Sequence, residues 1–241
     1  MDNFENAKQL TEYSEETFQK IKNIYNASLY EKTIKAALLI EIKNLMENLR
    51  SALDYCSHGL FDKYGDTSKK QNIYFPYAWA GLSATEFRSK RIIDNKIPGL
   101  IRNRPDIASK IESYQAFANP SNEWFPKFMD LNNENKHQHL TPQERKETRQ
   151  LNISSGGASI SMGEGCSIQM GAGAMIQFGG AIIPGGQRID VNNPAMILGN
   201  AKQEVITWVS FNFQSNGEPV LQLLEKAVNG VKKIVSELST M

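Results

Sequence analysis

Histidine and cysteine are scarce in this 241-residue chain, at three and two, and their scarcity removes whole classes of chemistry. Cys56 and Cys166 lie in unrelated contexts, so they form no disulfide framework and point to a reducing compartment. His137 and His139 are two apart, and on a helix such residues diverge by about 200°. No third ligand stands at metal spacing, so no zinc site, and no metal or cofactor of any kind, is expected. Charge of one sign is also lacking. The formal net charge is +1, and the first 150 residues carry about 22 basic against 20 acidic side chains. That leaves no whole-chain argument for binding a polyanion or an anionic membrane. No apolar run approaches the ~20 residues of a membrane span. The opening "MDNFENAKQL" is polar and acidic where a secretory leader is basic and then apolar. The expectation is a cytoplasmic protein with no membrane association.

What is present divides near residues 145–152. The first part is rich in Lys, Glu, Asn and Leu. Residues 4–26 have irregular helical spacing, and Asn26-Ala-Ser28 offers a break and an N-cap for a second helix. In that second helix Ile34, Leu38, Ile42, Leu45, Leu49, Leu53, Cys56 and Leu60 recur at steps of three and four, the seam of a bundle helix ending near Gly65. "NIYFPYAW" reads as an extended segment packed over the bundle, because the residue before a proline is driven out of the helical region. Ser83 and Glu86 make a capping box for a helix over 84–93. Further helices are expected over 106–117 and 122–139.

After Arg149 the period falls to two, and "QLNIS", "ASISM", "CSIQM", "AMIQF" and "EVITWVSFNF" read as strands. From Val220 to Leu238 nine apolar residues form one helical face, to be buried on the sheet or on the bundle. The fold class is α+β. An N-terminal all-α bundle over 1–146 is followed by a small glycine-rich antiparallel β-domain with a closing amphipathic helix over 147–241.

Residues 153–184 form an imperfect eight-residue repeat, "ISSGGASI", "SMGEGCSI", "QMGAGAMI", "QFGGAIIP". An even period keeps Ile160, Ile168 and Ile176 on one face of a sheet. Neither a third glycine with a following helix nor a Gly-Lys-Ser/Thr occurs, so the glycines read as strand turns and not as a phosphate loop.

Two polar constellations stand on helices. Arg50, Asp54 and His58 are spaced four apart in "ENLRSALDYCSHGL". A carboxylate between a guanidinium and an imidazole can orient the imidazole for proton transfer; the alternative is a plain ion-pair ladder. In "WFPKFMDLNNENKHQHL", Asp130, Asn133, Lys136 and His137 fall near one face. There His137 could shuttle a proton and Lys136 could stabilise an anion in metal-free phosphodiester cleavage, or both could simply favour the helix C-terminus.

"LRSALDYCSHGLF", "IYFPYAW" and "LNNENKHQHL" together resemble a bacterial two-domain family that pairs "LRSALDH"-type, "FPI"-type and "LNxxDKHR"-type segments ahead of a small β-domain. That resemblance brings no established activity. The bundle is more loosely similar to the HEPN superfamily, helical modules of bacterial defence and toxin systems, many of them metal-independent RNases. The superfamily's signature is Arg, four to six residues, then His on a late helix. Here Asn132 stands at the matching spacing before His137. The resemblance implies His137 as general acid or base with Asp54 or Arg50 in support, or an inactive scaffold derived from such a module.

Arg88, Arg91, Arg102 and Arg104 lie in a stretch with about seven basic and three acidic residues and are candidates for phosphate contacts with RNA. Three functional classes follow. A non-enzymatic binding or assembly protein, forming a homo-oligomer or holding a partner protein, is favoured. The others are an RNase, and a small-ligand sensor with Tyr74, Phe75, Tyr77 and Trp79 lining a cleft between bundle and sheet.

Overall fold

The computed structural model describes residues 2–31, 36–69, 72–137 and 143–241; the side chains of 29–31, 135–137 and 206–209 fall outside that description. The chain forms α1 (Asn3–Glu31), α2 (Ala36–Tyr64), an extended strap over 72–79, and the short helices α3 (Ala84–Ser89), α4 (Ile92–Lys96), α5 (Leu100–Asn103) and α6 (Pro105–Ser113). A single 3-10 turn, Pro120–Asn122, leads into α7 (Trp124–His137). Eight strands follow: β1 (Gln143–Ser155), β2 (Ala158–Gly163), β3 (Ile168–Gln169), β4 (Met175–Phe178), β5 (Ala181–Pro184), β6 (Arg188–Ile189), β7 (Leu198–Gly199) and β8 (Lys202–Phe213). Helix α8 (Val220–Ser239) ends the fold. The layout is α+β, as the change of hydrophobic period predicts.

The chain separates into two compact units, Met1–Glu144 with Phe211–Met241, and Arg145–Ser210. This differs from a division into 1–146 and 147–241, because α8 packs on α1, α2 and α7. All nine of its periodic apolar residues, Val220 to Leu238, are buried there. Periodicity shows that a face must be covered; it does not show by what. The contact is close enough for the Trp124 ring to lie on the backbone of α8 at Gly230.

Two helix boundaries also differ. The chain does not break at Asn26-Ala-Ser28. Ser28 is buried inside α1, and its hydroxyl donates to the Ile24 carbonyl at 2.9 Å, the back-bonding alternative to a cap. Tyr25, one turn earlier, is buried as well; its hydroxyl accepts from the Phe211 N–H at 2.9 Å. The helix expected over 84–93 is split at Arg91, which takes a left-handed φ of 50°. Its capping box forms as read: the Ser83 hydroxyl accepts from the Glu86 N–H at 3.2 Å, and the Glu86 carboxylate from the Ser83 N–H at 3.0 Å. The seam of α2 is buried from Leu38 to Leu60, while Ile34 lies outside the described residues.

Cys56 belongs to that seam and is wholly buried, and burial pushes its thiol up to about 12; Cys166 is exposed. Iodoacetamide at about pH 8 should therefore alkylate Cys166 and spare Cys56 in the native protein, since only the thiolate reacts. Peptide mapping reads the result. Labelling of Cys56 at a comparable rate would contradict this packing.

The second unit contains strands ordered β2-β1-β8, β3-β6 and β4-β5-β7. Leu151, Ile153, Met162, Ile183, Ile189 and Val191 form its own core, and Ile160, Ile168 and Ile176 all pack against it, as the eight-residue register predicts. Ser155↔Ala158 and Phe178↔Ala181 close two-residue hairpins through Gly156-Gly157 and Gly179-Gly180, with positive φ at all four glycines. The two tips touch. A Cβ on Gly179 would overlap the Ser155 carbonyl, and one on Gly156 would lie 2.6 Å from the Gly179 carbonyl oxygen. Glycine is therefore needed there for close approach as well as for the turn. The polar start of β1, "QERKETR", carries no alternating signal and reads as the border between domains, yet it is strand.

Candidate functional site

A cluster of hydrogen-bonded polar side chains in the helical unit lies where the strap crosses α2 and α7. Ile73, Phe75, Pro76 and Ala78 are buried, so an extended backbone without strand neighbours is taken out of water and its N–H and C=O groups need partners. Two side chains supply them. Asp54 accepts the Phe75 N–H at 2.9 Å. Gln115, fully buried at the end of α6, accepts the Ala78 N–H at 2.8 Å and donates to the Pro76 and Ile111 carbonyls at 3.3 and 2.9 Å. The Phe75 ring meets Phe125 of α7 edge-on, with centroids 5.9 Å apart.

Arg50 completes the cluster. Its Nε donates to Asp54 at 3.2 Å, its Nη1 approaches the Met129 sulfur at 2.8 Å, and its guanidinium lies 5.6 Å from the Tyr77 ring centre. Asn133 donates to the Tyr77 hydroxyl at 3.1 Å. Asn132 is buried; its Nδ2 donates to the Met46 carbonyl at 2.6 Å, while its Oδ1 has no partner among the described residues. Arg50, Asp54, Asn133 and Gln115 thus hold four segments together: α2, the strap, the end of α6 and α7.

His58, one turn beyond Asp54, is exposed and forms no hydrogen bond or ion pair with it; the Asp54 oxygens are taken by Arg50 and Phe75. The side chains of Lys136 and His137, and all of His139, lie outside the described residues. The backbone still sets a scale. Met129 faces Arg50 and Asn132 faces Met46, so α2 and α7 run antiparallel. His137 is eight residues past Met129, about 12 Å along the axis from the level of Arg50, and Asp54 lies one turn further in the other direction. The structure brings Arg50 and Asp54 together with the strap, and Asn132 to α2 at a different level.

The expected basic stripe is locally neutralised. Arg88 grips Glu112 with contacts of 2.5 and 2.9 Å. Arg91 pairs with Asp94 at 2.5 Å, and Arg104 with Asp106 at 2.7 Å while also reaching the Met241 carbonyl and the Tyr64 ring. Arg102 donates to the Asn103 amide. A count of charges along the chain overstates the free charge here, because Glu112 comes from another helix.

The four strap aromatics do not line one cavity either. Extended backbone sends alternate side chains to opposite sides. Phe75 is buried and Tyr77 half-buried against Arg50, whereas Tyr74, of the opposite parity, is exposed beneath Lys96; Trp79 shares the parity of Phe75 but stands at the end of the strap, exposed beneath Lys90. Gln115 was not legible: a lone glutamine near a helix end reads as surface until the strap is laid over it.

Among the described residues no group of three or more His, Cys, Asp or Glu could hold a metal ion, and no helix is long and apolar enough to cross a membrane. No family model matches the chain, and no curated protein and no solved structure is similar to it at a significant level.

Proposed function

We propose that this is a non-enzymatic assembly protein of the cytoplasm, built on a bundle similar to the HEPN modules of bacterial defence and toxin systems, and that it joins a second copy of itself. The polar residues nearest to a catalytic constellation, Arg50 and Asp54, are committed to holding the strap.

One observation carries the assembly reading. The outward face of the β4-β5-β7 sheet is apolar. Met175, Met196 and Leu198 are 65, 69 and 55% exposed. Met175 stands opposite Pro184, and Ile182 opposite both Gln177 and Leu198; Met196, two residues before Leu198, shares the face. An antiparallel sheet with a wet side alternates apolar-in and polar-out. Here Ile176, Phe178 and Ile183 face the core, and of the outward residues only Gln177 is polar. Contiguous exposed apolar residues of this kind are what an interaction surface presents. A flat apolar face meeting its own copy about a twofold axis buries the same residues on both sides and needs no partner of different shape.

Light scattering across about a hundredfold concentration range should show the mass rising toward that of a dimer, and a Met175→Lys/Leu198→Lys variant should stay monomeric, with a melting temperature that no longer rises with protein concentration. A protein monomeric at every concentration would remove the self-association reading. Cleavage of a mixed RNA pool that is lost in His137→Ala would overturn the non-enzymatic one.

A further inference from the structure

A groove of about 410 Å³ runs between α8 and the segment joining α6 to α7, within the range of small-ligand sites. Its α8 wall is one stripe of the helix: Lys226, Asn229, Gly230, Lys233 and Glu237 follow at steps of three, one, three and four. The opposite wall includes Tyr114, Ser121 and Trp124. Gly230 makes the groove possible, since the Trp124 ring lies directly on the α8 backbone at that position.

The charges in the groove are not balanced. Glu237 is its only carboxylate. It accepts from the Tyr114 hydroxyl at 2.7 Å and pairs with Lys110 at 2.9 Å, and these two, the hydrogen bond first, hold its carboxyl below the usual range. Lys233 adds to its field from one turn away. Lys127, at the adjoining surface, is taken by Glu218 at 2.6 Å. Lys226 and Lys233 form no hydrogen bond or ion pair among the described residues, nor do the Asn229 amide or the Ser121 hydroxyl. Two ammonium groups two helical turns apart, about 10 Å along the axis, therefore flank a neutral amide, with a hydroxyl across the groove.

We propose that this groove binds a small phosphate-bearing ligand. A phosphate carries up to two negative charges and several acceptor oxygens, and lysine meets it as a mobile point charge where no bidentate fork is present. Asn229 and Ser121 supply the neutral donors. The site belongs to the helical unit and involves none of the residues of the apolar sheet face, so it stands or falls independently of self-association.

The test is a heteronuclear NMR titration of the full chain at low salt with inorganic phosphate, inorganic pyrophosphate and a short single-stranded oligonucleotide. Saturable shifts with pyrophosphate are expected, concentrated at Ser121, the Asn229 amide and the 226–233 backbone, with weaker affinity at higher salt. Lys226→Gln/Lys233→Gln should weaken that binding at least tenfold without changing the melting temperature, and Asn229→Ala should weaken it less. Shifts spread over many surface lysines and retained in the double variant would overturn the proposal, as would no saturable shift with either inorganic ion. Binding of the oligonucleotide at the stripe without binding of pyrophosphate would also overturn it, in favour of a polymer surface.

Discussion

Gln115→Leu should destabilise the protein by about 2–5 kcal/mol, although the two side chains have nearly the same volume. The magnitude follows from what is left behind. Leucine fills the same buried space, but the Ala78 N–H and the Pro76 carbonyl lose their partners, and each unpaired buried backbone group costs about 1–3 kcal/mol. The Ile111 carbonyl keeps the bonds of its own helix, so it adds little. Urea unfolding reads the total, and hydrogen exchange at the Ala78 amide reads its origin. Protection of that amide should collapse while that of the α8 core amides falls only with global stability. Asp54→Asn provides a graded comparison. Its amide oxygen can still accept the Phe75 N–H, but the amide nitrogen then turned to Arg50 is a donor, so the charge-assisted hydrogen bond from Arg50 is lost, and the loss should be about 1–3 kcal/mol. A Gln115→Leu loss below about 0.5 kcal/mol would mean that water or a shifted strap replaces the clamp, and that the strap is not fixed as described.

The contrast between Gln115 and α8 shows which parts of this structure can be read from one dimension. The face of α8 repeats every 3.6 residues, and its burial is a property of the segment alone, so all nine positions are legible. The seam of α2 and the Ser83–Glu86 capping box are local in the same way. What α8 packs against is not local, and the sheet and the bundle were equally open from pattern alone. The polar cluster divides along the same line. Arg50 and Asp54 are one turn apart and legible as a pair, but the group that uses Asp54, the Phe75 N–H, is 21 residues away. Arg88 and Glu112 are 24 apart, so a run of arginines reads as free charge when it is largely paired. In the glycine repeat the turns are legible, because doubled glycine between alternating segments has a conformational meaning. The stacking of two of those turns on each other is not, because it needs the third dimension to bring Gly156 to Gly179.

Gly230→Ala should destabilise the protein by about 1–3 kcal/mol, opposite in sign to the usual effect of this change in a helix. In an open helical position alanine is favoured over glycine by about 1 kcal/mol. At Gly230 the added methyl would overlap the Trp124 indole, with further ring atoms only 2.6 and 2.7 Å from the new carbon. The indole cannot yield easily, because it packs at a tilt against Phe125 and Phe128, with centroids 5.1 and 6.2 Å away. The methyl must therefore push α7 and α8 apart, and overpacking of this kind typically costs about 1–3 kcal/mol; Gly230→Val should cost more, since it adds two further methyl groups to the same clash. The decisive measurement is a double-mutant cycle with Trp124→Ala. That change alone should cost about 3–5 kcal/mol as the loss of a large core aromatic. In its background the indole is gone, and Gly230→Ala should become neutral or stabilising as helix propensity takes over, a coupling of 2 kcal/mol or more in order of magnitude. Additivity within about 0.5 kcal/mol would show that the two residues do not touch. It would also remove one of the contacts that join the two walls of the neighbouring groove, leaving Glu237 with Tyr114 and Lys110 as the other.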